Sequence, residues 1–195
     1  MRELRPTTGP HAYQRQGFID FCKWATEARD NELYIEVGSW QGESAEIAAG
    51  YFKHVICVDP WDESLSNIEP VYGYTMDAVF DAFITRTKPY ANITHLRHRS
   101  LDAVKYMKAG SASVVYIDGS HLEPNVLADA RAWFPVVAQN GIFAGHDYDS
   151  TETQANIIGV KRAVDAIFGK PDKVFQDNTW AVDKTSCEMG RKVNL

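Results

Sequence analysis

Apolar residues along this chain fall in two alternating patterns, short continuous runs and stripes at helical spacing, and the patterns take turns from end to end. Phe18, Phe21, Cys22 and Ala25 stand at i, i+3, i+4 and i+7, the single stripe of a helix lying on a core. A continuous run at 33–37 predicts a buried strand. A helix follows from Glu43 to Phe52, burying Ile47, Ala48 and Tyr51, and then a second strand from Val55 to Val58. Met76, Val79, Phe80, Phe83 and Ile84 predict the next helix, Ile93 to Leu96 a third strand, and Ser113 to Ile117 a fourth. Glu123-Pro124 opens a helix with proline where an N–H is dispensable; its buried face is Leu127, Ala130, Trp133, Phe134 and Val137. Asn140-Gly141 turns the chain into a fifth strand, Ile142 to Gly145. Val160, Ala163, Val164, Ile167 and Phe168 form an amphipathic helix, and two strands, Lys173 to Gln176 and Thr179 to Val182, flank Asp177-Asn178.

Strands alternating with helices of this length predict an α/β fold, a doubly wound and mostly parallel sheet with helices on both faces. The chain is expected to form a single domain over residues 1–195. Within it, residues 1–30 are an N-terminal arm and helix, and residues 62–74, with Pro70 and several breakers, form a long loop suited to a lid. Trp61, Tyr72 and Tyr74 are placed either to cover a ligand there or to pack the lid. The polar segment from Cys187 to Leu195 is expected to fray.

Composition narrows the classes. With 195 residues, 45% hydrophobic and 24% charged, one full core can be enclosed. A net charge of -6 and a pI near 5.5 argue against nucleic acid as a partner, since phosphate binding needs a clustered cationic surface. The polar N-terminus shows no secretory signal pattern, and no apolar run approaches bilayer length. The cysteines Cys22, Cys57 and Cys187 are widely separated, which fits a reducing, cytoplasmic setting.

The chemistry concentrates at strand ends. Glu36, Gly38 and Gly42 form an E-x-G-x-x-x-G turn after the first strand. The dinucleotide pattern G-x-G-x-x-G keeps bulk away from a pyrophosphate, whereas here Trp40 and Glu43 crowd it. Glu36 at the strand's end suits a ligand with ammonium or sulfonium character. Asp59, 21 positions after Gly38, lies near the interval at which an acid binds a ribose hydroxyl pair; alternatively it opens a turn before Pro60. Ser100 reads as a helix N-cap. Asp118 and His121 follow the fourth strand, and His146 and Asp147 follow the fifth. Ligands in open parallel sheets sit beyond such ends.

The E-x-G-x-x-x-G turn resembles the first motif of class I S-adenosylmethionine-dependent methyltransferases. Together with Ile117-Asp118-Gly119-Ser120-His121, the helix carrying Trp133, the Asn140-Gly141 turn and Gly145-His146-Asp147-Tyr148, the chain resembles the macrocin O-methyltransferase group of sugar and antibiotic-tailoring enzymes. The likeness runs from about Leu33 to Tyr148 and more weakly through Gly159 to Asp165. It implies a seven-stranded Rossmann-like sheet with a C-terminal antiparallel hairpin, and S-adenosylmethionine as methyl donor to a hydroxyl of a small molecule. The donor would be held by Glu36, Gly38, Ser39, Gly42 and Ser44, by Asp59, Pro60 and Trp61, by Arg99 and Ser100, and by Asp118, Gly119 and His121. A divalent metal would be held by Asp118, His146 and Asp147. The family's adjacent pair is commonly acidic, and His146 departs from that, favouring a softer ion than Mg²⁺. Asp118, His121 and His146 are the catalytic candidates, with histidine as base. Three readings stand: a metal-assisted enzyme, a metal-independent enzyme using a histidine base, and a non-catalytic S-adenosylmethionine-binding protein. No membrane or nucleic-acid partner is expected, and the arm is a candidate homodimer contact.

Overall fold

The computed structural model describes residues 12–27, 29–62, 75–149 and 158–188, with 193 and 195. The N-terminal arm, most of the expected lid with Tyr72 and Tyr74, and most of the C-terminal tail lie outside the described residues.

Seven strands form one sheet in the order β3-β2-β1-β4-β5-β7-β6. They are β1 (Leu33–Val37), β2 (His54–Val58), β3 (Ile93–Leu96), β4 (Ala112–Ile117), β5 (Val137–Gly145), β6 (Lys173–Val174) and β7 (Trp180–Asp183). The first five pair in parallel; β7 runs antiparallel to β5, and β6 antiparallel to β7. This is the expected doubly wound sheet closed by a hairpin. The chain moves outward through β1, β2 and β3 and then returns beside β1 as β4, so the strand order reverses between β1 and β4. All six residues of β4 are buried, as a strand covered on both faces requires.

Helices α1 (Ala12–Thr26), α2 (Glu43–Ala48) and α3 (Met76–Thr87) cover one face, where Phe18, Phe21, Ala45, Ala48 and Phe83 pack with Tyr34, Cys57 and Tyr116. Helices α4 (Ser100–Ala103), α5 (Glu123–Trp133) and α6 (Ile158–Phe168) cover the other. There Trp133, Val164 and Phe168 meet Ile35, Val115, Phe143 and Trp180. The α1 stripe is buried as its spacing predicts. Truncating Phe21 in it would cost about 3–5 kcal/mol. A short α7 (Lys184–Glu188), not anticipated from the sequence, follows β7. No helix among the described residues is long and apolar enough to cross a membrane.

Two local expectations are corrected. The helix after β1 stops at Ala48 rather than Phe52, running into a turn around Gly50; Ile47 and Tyr51 are half-buried, and Phe52 is the buried residue. Asn140-Gly141 lies inside β5, at a register shift against β4, instead of before the strand. A Cβ on Gly141 would sit 2.8 Å from the Ser113 carbonyl oxygen, so glycine here permits a bulge rather than a turn.

Candidate functional site

The strand-to-helix turn after β1 is built from backbone. Gly38 has φ +92° and donates its N–H to the Val58 carbonyl at 2.8 Å. A Cβ there would overlap the Asp118 carbonyl and the Gly119 Cα. The close crossing of the β1 and β4 ends therefore demands glycine here. Gly42, φ +78°, precedes α2, and a Cβ would stand 2.9 Å from the Phe83 ring. It too serves packing.

Asp59 organises the same turn. Its Oδ2 accepts from the Trp40 N–H at 3.0 Å and its Oδ1 from the Trp61 N–H at 2.8 Å. Trp40 and Trp61 both hold left-handed backbone, φ +43° and +42°, a conformation costing side chains of this size about 1 kcal/mol or more each. The carboxylate and the bond from Trp61 Nε1 to the Trp40 carbonyl, 2.9 Å, hold them there. Burial pushes the Asp59 carboxyl up, while N–H groups of Trp61, Trp40 and Ser39 pull it back. The turn-opening alternative is thus realised within the described residues. Trp61 is a core residue, 1% exposed and packed on Phe80 and Phe83. Pro60 is half-buried, and its carbonyl accepts from Arg97 Nε at 3.4 Å.

Glu36 is fully buried, and Tyr34 donates its hydroxyl to Oε1 at 3.2 Å. The other carboxylate oxygen, Oε2, and the Ser39 hydroxyl have no hydrogen-bond partner. Burial pushes the Glu36 carboxyl up to about 7, opposed by the nearby Ser44, Ser39 and Tyr34 hydroxyls and reinforced by the charge of Asp118. Buried polar atoms are normally satisfied. Buried without a well-formed partner, these two oxygens fit a cationic donor group such as an ammonium.

Arg99 and Ser100 lie farther out, after β3. Arg99 is exposed and occupies the N-cap position of α4. Ser100 is inside the helix, so the N-cap reading is corrected; its hydroxyl donates to Asp129 Oδ1 at 2.5 Å and accepts from Trp133 Nε1 at 2.8 Å. That hydroxyl ties α4 to α5. Burial lifts the Asp129 carboxyl to about 6 against the Ser100 bond. Sequence reasoning missed Asp129, although an acid on the buried stripe between Val126, Ala130 and Trp133 was the visible signal.

The ends of β4 and β5 bring four side chains together. Asp118 is seated by its N–H on the Val37 carbonyl at 2.7 Å. His121 Nε2 lies 3.1 Å from Asp147 Oδ2 and 3.9 Å from Asp118 Oδ1. His146 Nδ1 lies 3.2 Å from Asp147 Oδ1 and 4.0 Å from Asp118 Oδ1. Asp147, at φ +61°, sits at the centre. Burial alone would depress His146, but the hydrogen bond to Asp147 and the charges of Asp118, Asp147 and Asp177 raise it to about 9. His121 is raised chiefly by Asp118, against burial, with Asp147 adding; by distance Asp147 is its nearer partner. Asp147 is held below its usual range: burial opposes ionisation, and the His146 bond and both imidazoles outweigh it. At neutral pH His146 therefore carries a proton.

Ligand atoms of Asp118, His121 and Asp147 all lie within 4.8 Å of one another. This is a candidate cation set of two oxygens and one nitrogen, in which His121 stands where the sequence placed His146. Its mixed donors suit Zn²⁺, Mn²⁺ or Fe²⁺ better than Mg²⁺. Gly119 is exposed beside the crossing with Gly38. The cluster stands next to Glu36 across the β1–β4 reversal, where sheets of this kind bind ligands.

A family model described as a methyltransferase domain matches residues 35–148. Among solved structures, a protein from Corynebacterium glutamicum is similar with a TM-score of 0.59 at 14% identity, covering 92% of this chain and 82% of that one. A candidate O-methyltransferase from Klebsiella pneumoniae has a TM-score of 0.56 at 11% identity, covering 89% and 78%. The O-methyltransferase TomG of Streptomyces achromogenes, involved in tomaymycin synthesis and solved in complex with S-adenosylmethionine, has a TM-score of 0.56 at 10% identity, covering 91% and 80%. At these identities the likeness is one of fold. No curated protein matches the sequence.

Proposed function

Since the chain belongs to the methyltransferase-domain family, we propose that it transfers the methyl group of S-adenosylmethionine to a hydroxyl of a small molecule, in the manner of the macrocin-type tailoring enzymes. The observation that carries this reading is the pairing of two unlike half-sites across the β1–β4 reversal: buried oxygens on Glu36 and Ser39 without a well-formed hydrogen bond, and the cluster of Asp118, His121, His146 and Asp147. Bound there, S-adenosylmethionine would supply a methyl group on a sulfonium, leaving as a neutral thioether.

The chain's residues do the rest. Glu36 Oε2 and Ser39 Oγ accept from the donor's ammonium, which relieves their burial without partners. His121 takes the acceptor hydroxyl's proton as the oxygen attacks the methyl carbon, and Asp147 steadies the imidazolium that forms. Positioning in line supplies much of the acceleration. Protonated His146 holds Asp118 and Asp147 at fixed spacing.

The 4.8 Å cluster favours a second reading, in which a divalent cation sits on Asp118, His121 and Asp147. It would supply Lewis-acid activation of the acceptor hydroxyl, with His146 outside its ligand set. Cys22, Cys57 and Cys187 form no disulfide among the described residues, in keeping with a cytoplasmic setting.

Calorimetric titration with S-adenosylmethionine, with and without Zn²⁺ or Mn²⁺, and with NAD as control, tests the reading. Micromolar binding of the methyl donor and none of NAD is expected; the reverse would overturn it. Activity that survives a chelator selects the histidine-base mechanism over the metal.

A further inference from the structure

The turn after β1 has a second support, which comes from α3. Gly38, Trp40 and Gly42 alternate in left-handed backbone, φ +92°, +43° and +78°, so the polar groups of this segment find their partners one by one and not in a regular ladder. The Gly42 N–H donates to the Ser39 carbonyl at 2.7 Å. From the end of β2, Asp59 accepts the Trp40 N–H and the Trp61 indole donates to the Trp40 carbonyl. The next carbonyl, that of Gln41, accepts from Arg86 Nε at 2.9 Å.

Arg86 shares one face of α3 with Phe83 and Thr87, at i, i+3 and i+4. That face is shaped to the turn. The Phe83 ring and the Thr87 methyl would stand 2.9 and 3.1 Å from a Cβ on Gly42. The Thr87 hydroxyl donates back to the Phe83 carbonyl at 2.8 Å, which leaves its methyl toward the turn. The other two nitrogens of the guanidinium reach the first turn of α2: Nη1 lies 3.2 Å from Glu46 Oε2, and Nη2 3.5 Å from Glu43 Oε1. Glu46 is itself fixed, since the Tyr90 hydroxyl donates to its Oε1 at 3.0 Å. With its side chain only 20% exposed, Arg86 is a partly buried fork and not a solvated surface pair.

One guanidinium thus joins the Gln41 carbonyl to the carboxylates of Glu43 and Glu46. Ser39 and Ser44, whose hydroxyls lie beside Glu36, flank the start of that joined segment. We propose that Arg86 is a positioning residue for methyl-donor binding: through Gln41 and the start of α2 it holds the Ser39 and Ser44 hydroxyls in place around Glu36. The inference rests on S-adenosylmethionine as the ligand for its effect on affinity, and on the fold alone for its effect on the turn. A lysine could not take over this role, because an ammonium is a single point of charge and does not span a carbonyl and two carboxylates.

Calorimetric titration separates this role from a merely supporting one, because stoichiometry counts the folded sites while Kd reports how well each is arranged. Arg86→Met is expected to raise Kd for S-adenosylmethionine about tenfold at unchanged stoichiometry, as the loss of one charge-assisted hydrogen bond and a less populated competent turn require. Arg86→Lys keeps the charge and the fold, and its Kd should also rise. Amide hydrogen exchange reads the turn without any ligand. The Gly42 N–H should exchange about tenfold faster in both variants, while that of Val115 in β4 keeps its wild-type rate. An unchanged Kd in either folded variant, whether stoichiometry is full or reduced, overturns the proposal, and so does unchanged Gly42 exchange. A wild-type protein that binds no S-adenosylmethionine sinks the proposed function instead, and Gly42 exchange still decides whether Arg86 holds the turn.

Discussion

The two halves of the site are made of different materials. Around β1 and β2 the work falls to backbone: Gly38 lies against the Asp118 carbonyl, and both oxygens of Asp59 are taken by main-chain N–H groups. At the ends of β4 and β5 it falls to side chains, where two imidazoles and two carboxylates face one another with fractional exposures between 17% and 33%. Backbone contacts tolerate no added atoms yet are indifferent to charge. The ionised cluster tolerates isosteric change of shape but depends on which groups hold protons. Substitutions in the first half should therefore show mainly as stability, and in the second mainly as rate.

The largest expected effect lies in the second half. His121→Ala and Asp118→Asn should each lower methyl transfer by about 10²- to 10⁴-fold, with S-adenosylmethionine affinity by calorimetry and urea midpoint nearly unchanged. Full activity in both variants would remove the cluster from catalysis. In the first half, Gly38→Ala should destabilise the fold by about 3 kcal/mol, from overlap with Asp118 added to a positive φ. Chemical denaturation measures this, and activity should be lost only in proportion to folded protein.

Glu36 lies between the halves, because it is both buried and ionisable. Its folded carboxyl titrates at about 7 against 4.5 for the free group. A raised carboxyl binds more protons folded than unfolded. Its contribution is therefore fully present below about 4.5 and is lost as pH rises through 7, amounting to at most about 3 kcal/mol. Glu36→Gln should remove that slope from the pH–stability curve and make the protein more stable than wild type at pH 8, while weakening S-adenosylmethionine binding. A parallel pair of curves would show that Glu36 is not the titrating group.

The smallest effect separates a packing role from a ligand role. Ser100→Ala leaves Asp129 and the Trp133 indole N–H without their shared partner. A stability loss of about 1–2 kcal/mol is expected, with donor affinity unchanged. A marked loss of affinity without destabilisation would restore Ser100 to the binding site.

Much of this molecule was legible in one dimension. Runs and stripes have local periods that survive any folding path, so strand and helix order and the buried α1 stripe follow from local pattern, while the closing hairpin followed from the family resemblance. The acids and histidines at strand ends were visible because a parallel sheet directs every such end to one edge. The details that stayed hidden were those in which a distant segment sets the geometry. Gly38 and Gly42 read as room for a ligand, and only the fold shows that Asp118, Gly119 and Phe83, far along the chain, also exclude a side chain there. The packing of Trp61 on Phe80 and Phe83 was equally out of sight.

Sequence alone thus determined the fold class, the alternation of elements and the set of chemically capable residues, because those depend on near neighbours and on residue type. Only the tertiary structure decided who partners whom: Ser100 with Asp129, and His121 with Asp147. The E-x-G-x-x-x-G turn named the place of the site. Contacts across the sheet assigned the roles within it, since burial and charge at each strand end are set by strands that the chain reaches much later.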